Sequence, residues 1–179
     1  MNPELINNQY NLAKSIASQA HLNQKYGSYP YLIHLEAVQD VLDRFGYNLH
    51  KSPEINSLRI AAWLHDALED TVLLKEHIVY HFGEDVADLV WRVTDEQGRN
   101  RKEKKAATYP KIKSRSLAVV LKLADRIANV EASLKIKKEK GTISLFNMYL
   151  REWEDFKNNL YDKDQDDKMW IYLESLLKA

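Results

Sequence analysis

The segment 116–136 restricts the fold more than any other part of this sequence, because its apolar residues recur at spacings of three and four. This periodicity is typical of an α-helix. The apolar positions cover much of the circumference of that helix, so we expect it to be buried at the centre of the fold. These positions are Leu117, Val119, Val120, Leu121, Leu123, Ala124, Ile127 and Val130.

The remainder of the chain shows the same spacing and little sign of β-structure. Five glycines and four prolines in 179 residues leave little material for tight hairpins, and alternating strand patterns are not evident. The sequence therefore predicts an all-α, compact helical domain over residues 1–179. Further helices are expected from Pro3 to about His21 and over 31–45, 52–70, 74–82, 84–94, 142–161 and 164–178. The first helix should bury Leu5, Tyr10, Leu12, Ile16 and Ala17, and a loop should cover 23–30.

Composition excludes several classes of function. The 26 basic residues balance 26 acidic residues, so no global field draws the chain to duplex nucleic acid or an anionic membrane. Any anion site must therefore be local. The absence of cysteine excludes disulfides, zinc–thiolate sites and cysteine nucleophiles. The N-terminus is too polar for a signal peptide and no window is apolar enough to span a bilayer, so a cytoplasmic location is expected.

The segment 61–71, AAWLHDALEDT, places four adjacent ionisable groups behind an apolar run. On a continuous helix His65 lies over Glu69, and Asp66 lies over Asp70. Three carboxylates packed together repel one another, and a divalent metal would remove that conflict. The alternative is an exposed acidic helix end in which His65 is an ordinary surface or core histidine.

Two other segments offer further metal ligands. His34 lies in an amphipathic segment, YPYLIHLEAV, and Asp125 interrupts the apolar helix LAVVLKLADRIANV. A buried acid is costly unless it is paired or bound to a metal. The alternative for Asp125 is a salt bridge to Lys122 or Arg126.

The order His34, His65-Asp66, Asp125 resembles the HD superfamily of metal-dependent phosphohydrolases. More narrowly, HDALEDT together with KLADRIANV resembles the hydrolase domain of RelA/SpoT proteins and the small stand-alone alarmone hydrolases. The resemblance runs from about His21 to Asn129 and continues faintly through Tyr149–Trp153. It implies a helical HD-domain fold, with His34, His65, Asp66 and Asp125 as metal ligands.

The same resemblance implies an activity and a set of substrate contacts. Glu69 and Asp70 match the carboxylate pair that activates water in the alarmone hydrolases, which release pyrophosphate from the 3′ position of guanosine tetra- or pentaphosphate. Asn129 and Tyr31 match family positions near the substrate. The candidates for a local cationic cluster are Lys25, Lys122 and the run 99–105.

Two imidazoles and two carboxylates suit an octahedral metal, most readily Mn²⁺, with Fe²⁺ or Mg²⁺ as alternatives. Such a site favours hydrolysis of a small nucleotide at phosphorus. The loop before His34 departs from the family, because Lys25 and Tyr26 stand where an arginine usually stacks on guanine. Lysine and arginine are not equivalent in stacking, although Tyr26 could stack on a purine instead. The family's synthetase and regulatory regions have no counterpart here, so a dedicated hydrolase is expected.

Three alternatives follow from these features. The first is an HD-type phosphatase acting on deoxynucleotides, on the 2′-phosphate of NADPH or on a pyrophosphate-modified RNA end. The second is a helical nucleotide sensor without turnover. The third is an alternative role for the polar segment 95–115. This segment is expected to be a solvated face or mobile loop, but it could be a lid whose lysines reach substrate phosphates.

Overall fold

The computed structural model describes residues 2–163 and 167–178, with the side chain of Lys140 excepted. Within these residues the chain forms ten helices and one two-stranded sheet. In chain order they are α1 (Pro3–Ala20), β1 (Lys25–Tyr26), β2 (Tyr29–Pro30), α2 (Leu32–Arg44), α3 (Pro53–Leu64), α4 (Ala67–Asp70), α5 (Lys75–Phe82), α6 (Glu84–Val93), α7 (Arg101–Lys113), α8 (Ser116–Lys140), α9 (Ser144–Leu160) and α10 (Lys168–Leu177). The prediction of an all-α fold is confirmed.

Helix α8 lies at the centre, as its apolar circumference predicts. It contacts α2, α3, α6, α7, α9 and α10, and its residues Leu121, Ala124, Ile127 and Val130 are fully buried. The helix continues beyond the predicted end to Lys140 and stops at Gly141, whose positive φ of 66° lies in the left-handed region that favours glycine. An acid in the middle of this helix is therefore held at the centre of the molecule.

Helix α1 has the predicted bounds but buries a different stripe. Ile6, Ala13 and Ala17 face inward, whereas Leu5 and Leu12 are 50% and 41% exposed. Helix α1 packs on α3, and small alanine side chains allow two helices to approach closely. The prediction that Leu5 and Leu12 belong to the core is wrong, because the inward stripe of α1 consists of Ile6, Ala13 and Ala17 instead.

The predicted helix over 52–70 is interrupted at His65–Asp66. Helix α3 ends at Leu64, and α4 begins at Ala67, where the carbonyl of Asp66 accepts from the Asp70 amide at 3.0 Å. The Nδ1 atom of His65 lies 3.0 Å from the carbonyl oxygen of Ala62, the acceptor that an uninterrupted helix reserves for the Asp66 amide. We attribute the break to this side-chain competition for a backbone carbonyl.

Residues 23–30 contain an antiparallel hairpin rather than a structureless loop. Lys25 pairs with Pro30 and Tyr26 with Tyr29, across a two-residue turn in which Gly27 has a φ of 61°. Glycine adopts this backbone region without steric cost, as tight hairpin turns require. The hairpin leads directly into α2. It therefore fixes the positions of the side chains just before that helix.

The polar segment 95–115 is largely helical, so the expectation of a loop was wrong. Helix α7 begins after Asn100, whose side-chain oxygen accepts from the Glu103 amide at 3.0 Å. Its inward face consists of Lys105, Thr108, Tyr109 and Ile112. This helix packs on α6, α8 and α9 and therefore belongs to the folded body.

The C-terminal elements follow the prediction apart from their starts. Helix α9 begins at Ser144, and its N-cap residue is Ile143 rather than the predicted Thr142. The predicted final helix over 164–178 begins in residues 164–166, which lie outside the described residues, and α10 accounts for the part from Lys168. No helix in the described ranges has the length and apolar character needed to cross a membrane.

Candidate metal centre and its cleft

Four side chains that are distant in sequence converge beside α8. His34 comes from α2, His65 and Asp66 from the break between α3 and α4, and Asp125 from α8. The Nε2 atom of His34 lies 3.3 Å from that of His65 and 3.6 Å from Asp66 Oδ2. Asp125 Oδ1 lies 3.4 Å and 3.8 Å from the same two nitrogens, while His65 Nε2 lies 2.9 Å from Asp66 Oδ2. All four predicted ligands therefore point at one small volume.

The chemistry of this donor set fits a divalent cation. The contact from His65 Nδ1 to a backbone carbonyl places the proton on that nitrogen, so the lone pair of Nε2 faces the cluster. Both imidazoles are buried. The potential ligand atoms of His34, His65 and Asp66 lie within 4.8 Å of one another. Two nitrogen and two oxygen donors without thiolates suit Mn²⁺, Fe²⁺ or Mg²⁺.

The electrostatics also favour a bound cation, because the lowered pKa values of Asp66 and Asp125 keep both carboxylates ionised. Burial alone would raise the pKa of Asp66, but the neighbouring His65 lowers it well below its usual range. The pKa of Asp125 is likewise lowered by Lys122 despite burial. Burial would lower the pKa of His34, and the carboxylates of Asp125 and Asp66 instead raise it to about 9. The cluster therefore attracts positive charge, either as protons or as a metal ion.

A second layer of side chains orients the two carboxylates. The hydroxyl of Tyr31 donates to Asp66 Oδ2 at 2.5 Å, and Lys122 Nζ donates to Asp125 Oδ2 at 2.9 Å. The amide of Asn129 donates to Asp125 Oδ1 at 2.5 Å. The salt bridge that was the alternative for Asp125 is thus present, but it occupies the oxygen that faces away from His34.

Tyr26 completes this layer from the hairpin. Its hydroxyl donates to Asn129 Oδ1 at 2.9 Å, and its ring stacks on His34 with centroids 4.9 Å apart and planes 21° from parallel. The tyrosine that sequence analysis considered for stacking on a purine thus has one face and its hydroxyl directed into the cluster. Asn129, a predicted substrate contact, is at the same time a link between Tyr26 and Asp125.

Glu69 and Asp70 lie at the edge of the cluster. They line a cleft into which His34, Asp66 and Asp125 also open. Both are exposed; Glu69 Oε2 accepts from the Asp95 amide at 3.2 Å, and Asp70 Oδ2 accepts from Gln24 Nε2 at 2.8 Å. Because the helix breaks before them, their proximity to the cluster comes from α4 and not from a continuous helical face. Because both side chains are exposed and line the cleft, their carboxylates have access to water.

The cleft has a volume of about 190 Å³ and is almost entirely polar. Arg101, Lys105, Lys122 and Arg126 line it, and Lys105 is held by both oxygens of Asp95 at 2.9 Å. Burial and then Lys122 lower the pKa of Lys105 to about 8 in spite of that ion pair. A cationic wall therefore faces the four predicted ligands.

This wall differs in part from the predicted cationic cluster. Within the run 99–105, Arg101 and Lys105 line the cleft, whereas Arg99 is exposed and paired with Glu103. Lys25 is exposed on β1 and does not belong to the lining, so its role in substrate binding stays a prediction. Tyr149 of α9 also lines the cleft, and sequence reasoning did not select it. Its only signal in the sequence was its place in the faint continuation of the family resemblance.

The comparison with family models decides the relationship. The model described as "HD domain" matches residues 12–144, which include all four convergent side chains. The chain belongs to the HD domain family. The prediction of that superfamily from the order of His34, His65-Asp66 and Asp125 is thereby confirmed.

Curated relatives of this HD domain protein are named guanosine-3′,5′-bis(diphosphate) 3′-pyrophosphohydrolases. The relative from Vibrio cholerae is 32% identical over 133 residues, which cover 70% of this chain and 18% of the relative, and the one from Aquifex aeolicus is 35% identical over 133 residues, covering 72% and 18%. The enzyme named MESH1 from Xenopus tropicalis is 31% identical over 122 residues, covering 66% and 65%. The chain thus spans about a fifth of the length of the first relatives and about two thirds of the shorter one.

The solved structures agree on the fold. A structure described as a metazoan ortholog of SpoT that hydrolyzes ppGpp superposes with a TM-score of 0.77 at 24% identity, over 95% of this chain and 94% of that one. A protein from Listeria monocytogenes superposes with a TM-score of 0.63 at 24% identity, over 82% and 99%. At these identities the likeness establishes the helical HD fold.

Proposed function

We propose that this chain is a metal-dependent phosphohydrolase that removes pyrophosphate from the 3′ position of guanosine tetra- or pentaphosphate, leaving GDP or GTP. The observation that carries the proposal is the convergence of two imidazoles and two carboxylates, with His–His and His–Asp contacts of 2.9 to 3.8 Å, beneath a cationic wall. The curated names of the relatives support the substrate. The partner that we propose is a small nucleotide and not duplex nucleic acid.

In this proposal His34, His65, Asp66 and Asp125 hold the metal, for which Mn²⁺ is our first choice and Fe²⁺ or Mg²⁺ the alternatives. A bound divalent metal supplies Lewis acidity, which neutralises phosphate charge and makes water a stronger nucleophile at neutral pH. Tyr31 keeps the Asp66 carboxylate in one orientation through its hydroxyl. Burial, followed by the charge of Asp66, raises the pKa of that phenol, so it remains a proton donor.

Glu69 and Asp70 are the proposed catalytic pair. Their carboxylates lie in the cleft with water access, where one can accept a proton from the attacking water and the other can orient it. The backbone amide of Asp95 and the side chain of Gln24 hold the two groups in place. Lys122 and Asn129 are the proposed substrate contacts at the base of the cleft, together with Tyr31.

Product analysis tests this proposal. Purified protein loaded with Mn²⁺ is incubated with guanosine tetraphosphate, and the products are separated by ion-exchange chromatography. We expect GDP and pyrophosphate in equal amounts, and no product from an Asp66→Ala variant. Inorganic phosphate from a panel of other nucleotides would replace the proposal with the phosphatase alternative. Recovery of unchanged bound nucleotide would replace it with a sensor.

A further inference from the structure

A second cavity of about 480 Å³ lies between α7 and α9. Arg101 and Lys105 line both this cavity, here called the α7–α9 pocket, and the metal cleft. The two cavities therefore share a wall made of cationic side chains from one helix. A molecule in the cleft can reach this wall from one side, and an anion in the α7–α9 pocket can reach it from the other.

Cations outnumber carboxylates around the α7–α9 pocket. Four cations, Arg101, Lys102, Lys105 and Arg151, line it against two carboxylates, Glu152 and Asp155. Glu152 pairs with arginines from two helices. Arg101 Nε, of α7, lies 2.5 Å from one of its oxygens, and the guanidinium of Arg126, of α8, lies 3.0 Å from the other. One carboxylate thus serves two guanidinium groups, and the positive excess remains.

The excess is carried by Lys102 and Arg151. Neither makes an ion pair with any residue in the ranges 2–163 and 167–178, and both are exposed. One lies on α7 and the other on α9, so like charges flank the mouth of a single pocket. The protein as a whole is neutral, so this concentration does not follow from its overall charge. Phosphate groups match such a set, because guanidinium and ammonium groups form charge-assisted hydrogen bonds to their oxygens.

We propose that the α7–α9 pocket is a second anion site, which binds the 5′-diphosphate of the nucleotide while its 3′-diphosphate lies in the metal cleft. This inference rests on the proposed function, since a nucleotide with two diphosphates on one ribose presents an anion to each cavity. Arg101, on the shared wall, lies between the two groups. Lys102 and Arg151 distinguish a substrate with a 5′-diphosphate from one without it.

The first test compares two substrates in a double variant. Lys102→Ala combined with Arg151→Ala should raise KM for guanosine tetraphosphate about tenfold with kcat unchanged, the loss typical of charge-assisted contacts. KM for guanosine 3′-diphosphate, which has a free 5′-hydroxyl, should not change. The control, Lys113→Ala combined with Lys138→Ala, removes the same charge from exposed positions of α7 and α8 outside both cavities and should match the wild type.

The second test does not depend on turnover. Inorganic pyrophosphate is titrated by calorimetry into metal-free protein, where both the cleft and the α7–α9 pocket offer cationic side chains. The binding that the α7–α9 pocket contributes should be lost in the Lys102→Ala/Arg151→Ala variant and kept in the control variant. Hydrolysis of guanosine tetraphosphate with the same KM in both double variants would overturn the inference while leaving the proposed function in place. Pyrophosphate binding that depends on Lys102 and Arg151, without turnover of any guanosine polyphosphate, would instead keep the anion site and remove the proposed function.

Discussion

Removing the hydroxyl of Tyr26 tests whether the hairpin organises the metal centre. In a Tyr26→Phe variant the ring still stacks on His34, but Asn129 loses the donor at 2.9 Å from its side-chain oxygen. A neutral, partly buried hydrogen bond contributes about 1 kcal/mol. Asn129 keeps its own bond to Asp125, so this value is an upper limit for what reaches the metal. We therefore expect Mn²⁺ to bind measurably more weakly, by at most about fivefold, since about 1.4 kcal/mol corresponds to tenfold.

The assay is calorimetric titration of Mn²⁺ into metal-free protein, with thermal unfolding measured alongside. Tyr29→Phe is the matched control, because Tyr29 pairs with Tyr26 across the hairpin but is 59% exposed. It should bind Mn²⁺ like the wild type. Equal affinities in both variants would refute the reasoning that Tyr26 acts through Asn129 on Asp125. A loss of more than a hundredfold would show that the hairpin itself depends on the hydroxyl.

Three further predictions concern the cleft and its support. Glu69→Gln and Asp70→Asn should each lower kcat about 10²- to 10⁴-fold without loss of Mn²⁺ binding. A variant that loses kcat and Mn²⁺ affinity in parallel would contradict a catalytic role for that residue. Burial and Lys122 lower the pKa of Lys105 to about 8, so its charge is lost as the pH rises through that value. Pyrophosphate affinity of the metal-free protein should therefore fall over that range, and a Lys105→Arg variant should show a flatter profile. Phe156 is fully buried, so Phe156→Ala should cost about 3–5 kcal/mol in unfolding free energy, measured by urea denaturation; a loss below 1 kcal/mol would show that α9 is not part of the core.

Sequence spacing sufficed for the helices that bury apolar side chains. Leu121, Ala124 and Ile127 identify α8 because every inward position is apolar, and the acid among them stands out for the same reason. The convergence of His34 and Asp66 could be predicted from the order of the histidines and aspartates along the sequence. Their distances could not, because they depend on how α2, α3 and α8 pack.

The break before α4 could not be read from helical periodicity. HDALEDT continues the helical pattern, and only the contact of His65 with a backbone carbonyl shows why the helix stops there. The hairpin was missed although Gly27-Ser28 between two tyrosines is an appropriate two-residue turn. Two-residue strands are too short to show an alternating pattern.

Helix α7 shows how polar residues can hide a helical signal. Lys105, Thr108, Tyr109 and Ile112 have the spacing of a helix face, but two of the four are polar, and Pro110 lies inside the helix. The capping pattern of Asn100 followed three residues later by a glutamate was the available signal. A buried lysine is stable there because Asp95 pairs with it, which is a tertiary contact.

Metal content measured together with metal affinity tests the central claim most directly. Protein stripped with a chelator, incubated with Mn²⁺ and freed of excess ion should retain one Mn²⁺ per chain by elemental analysis. The variants His65→Ala and Asp66→Ala should retain none while keeping the helical circular dichroism spectrum of the wild type. Wild-type protein that retains no divalent metal, or an Asp66→Ala variant that binds it with unchanged affinity, would contradict the assignment of the four converging side chains as ligands.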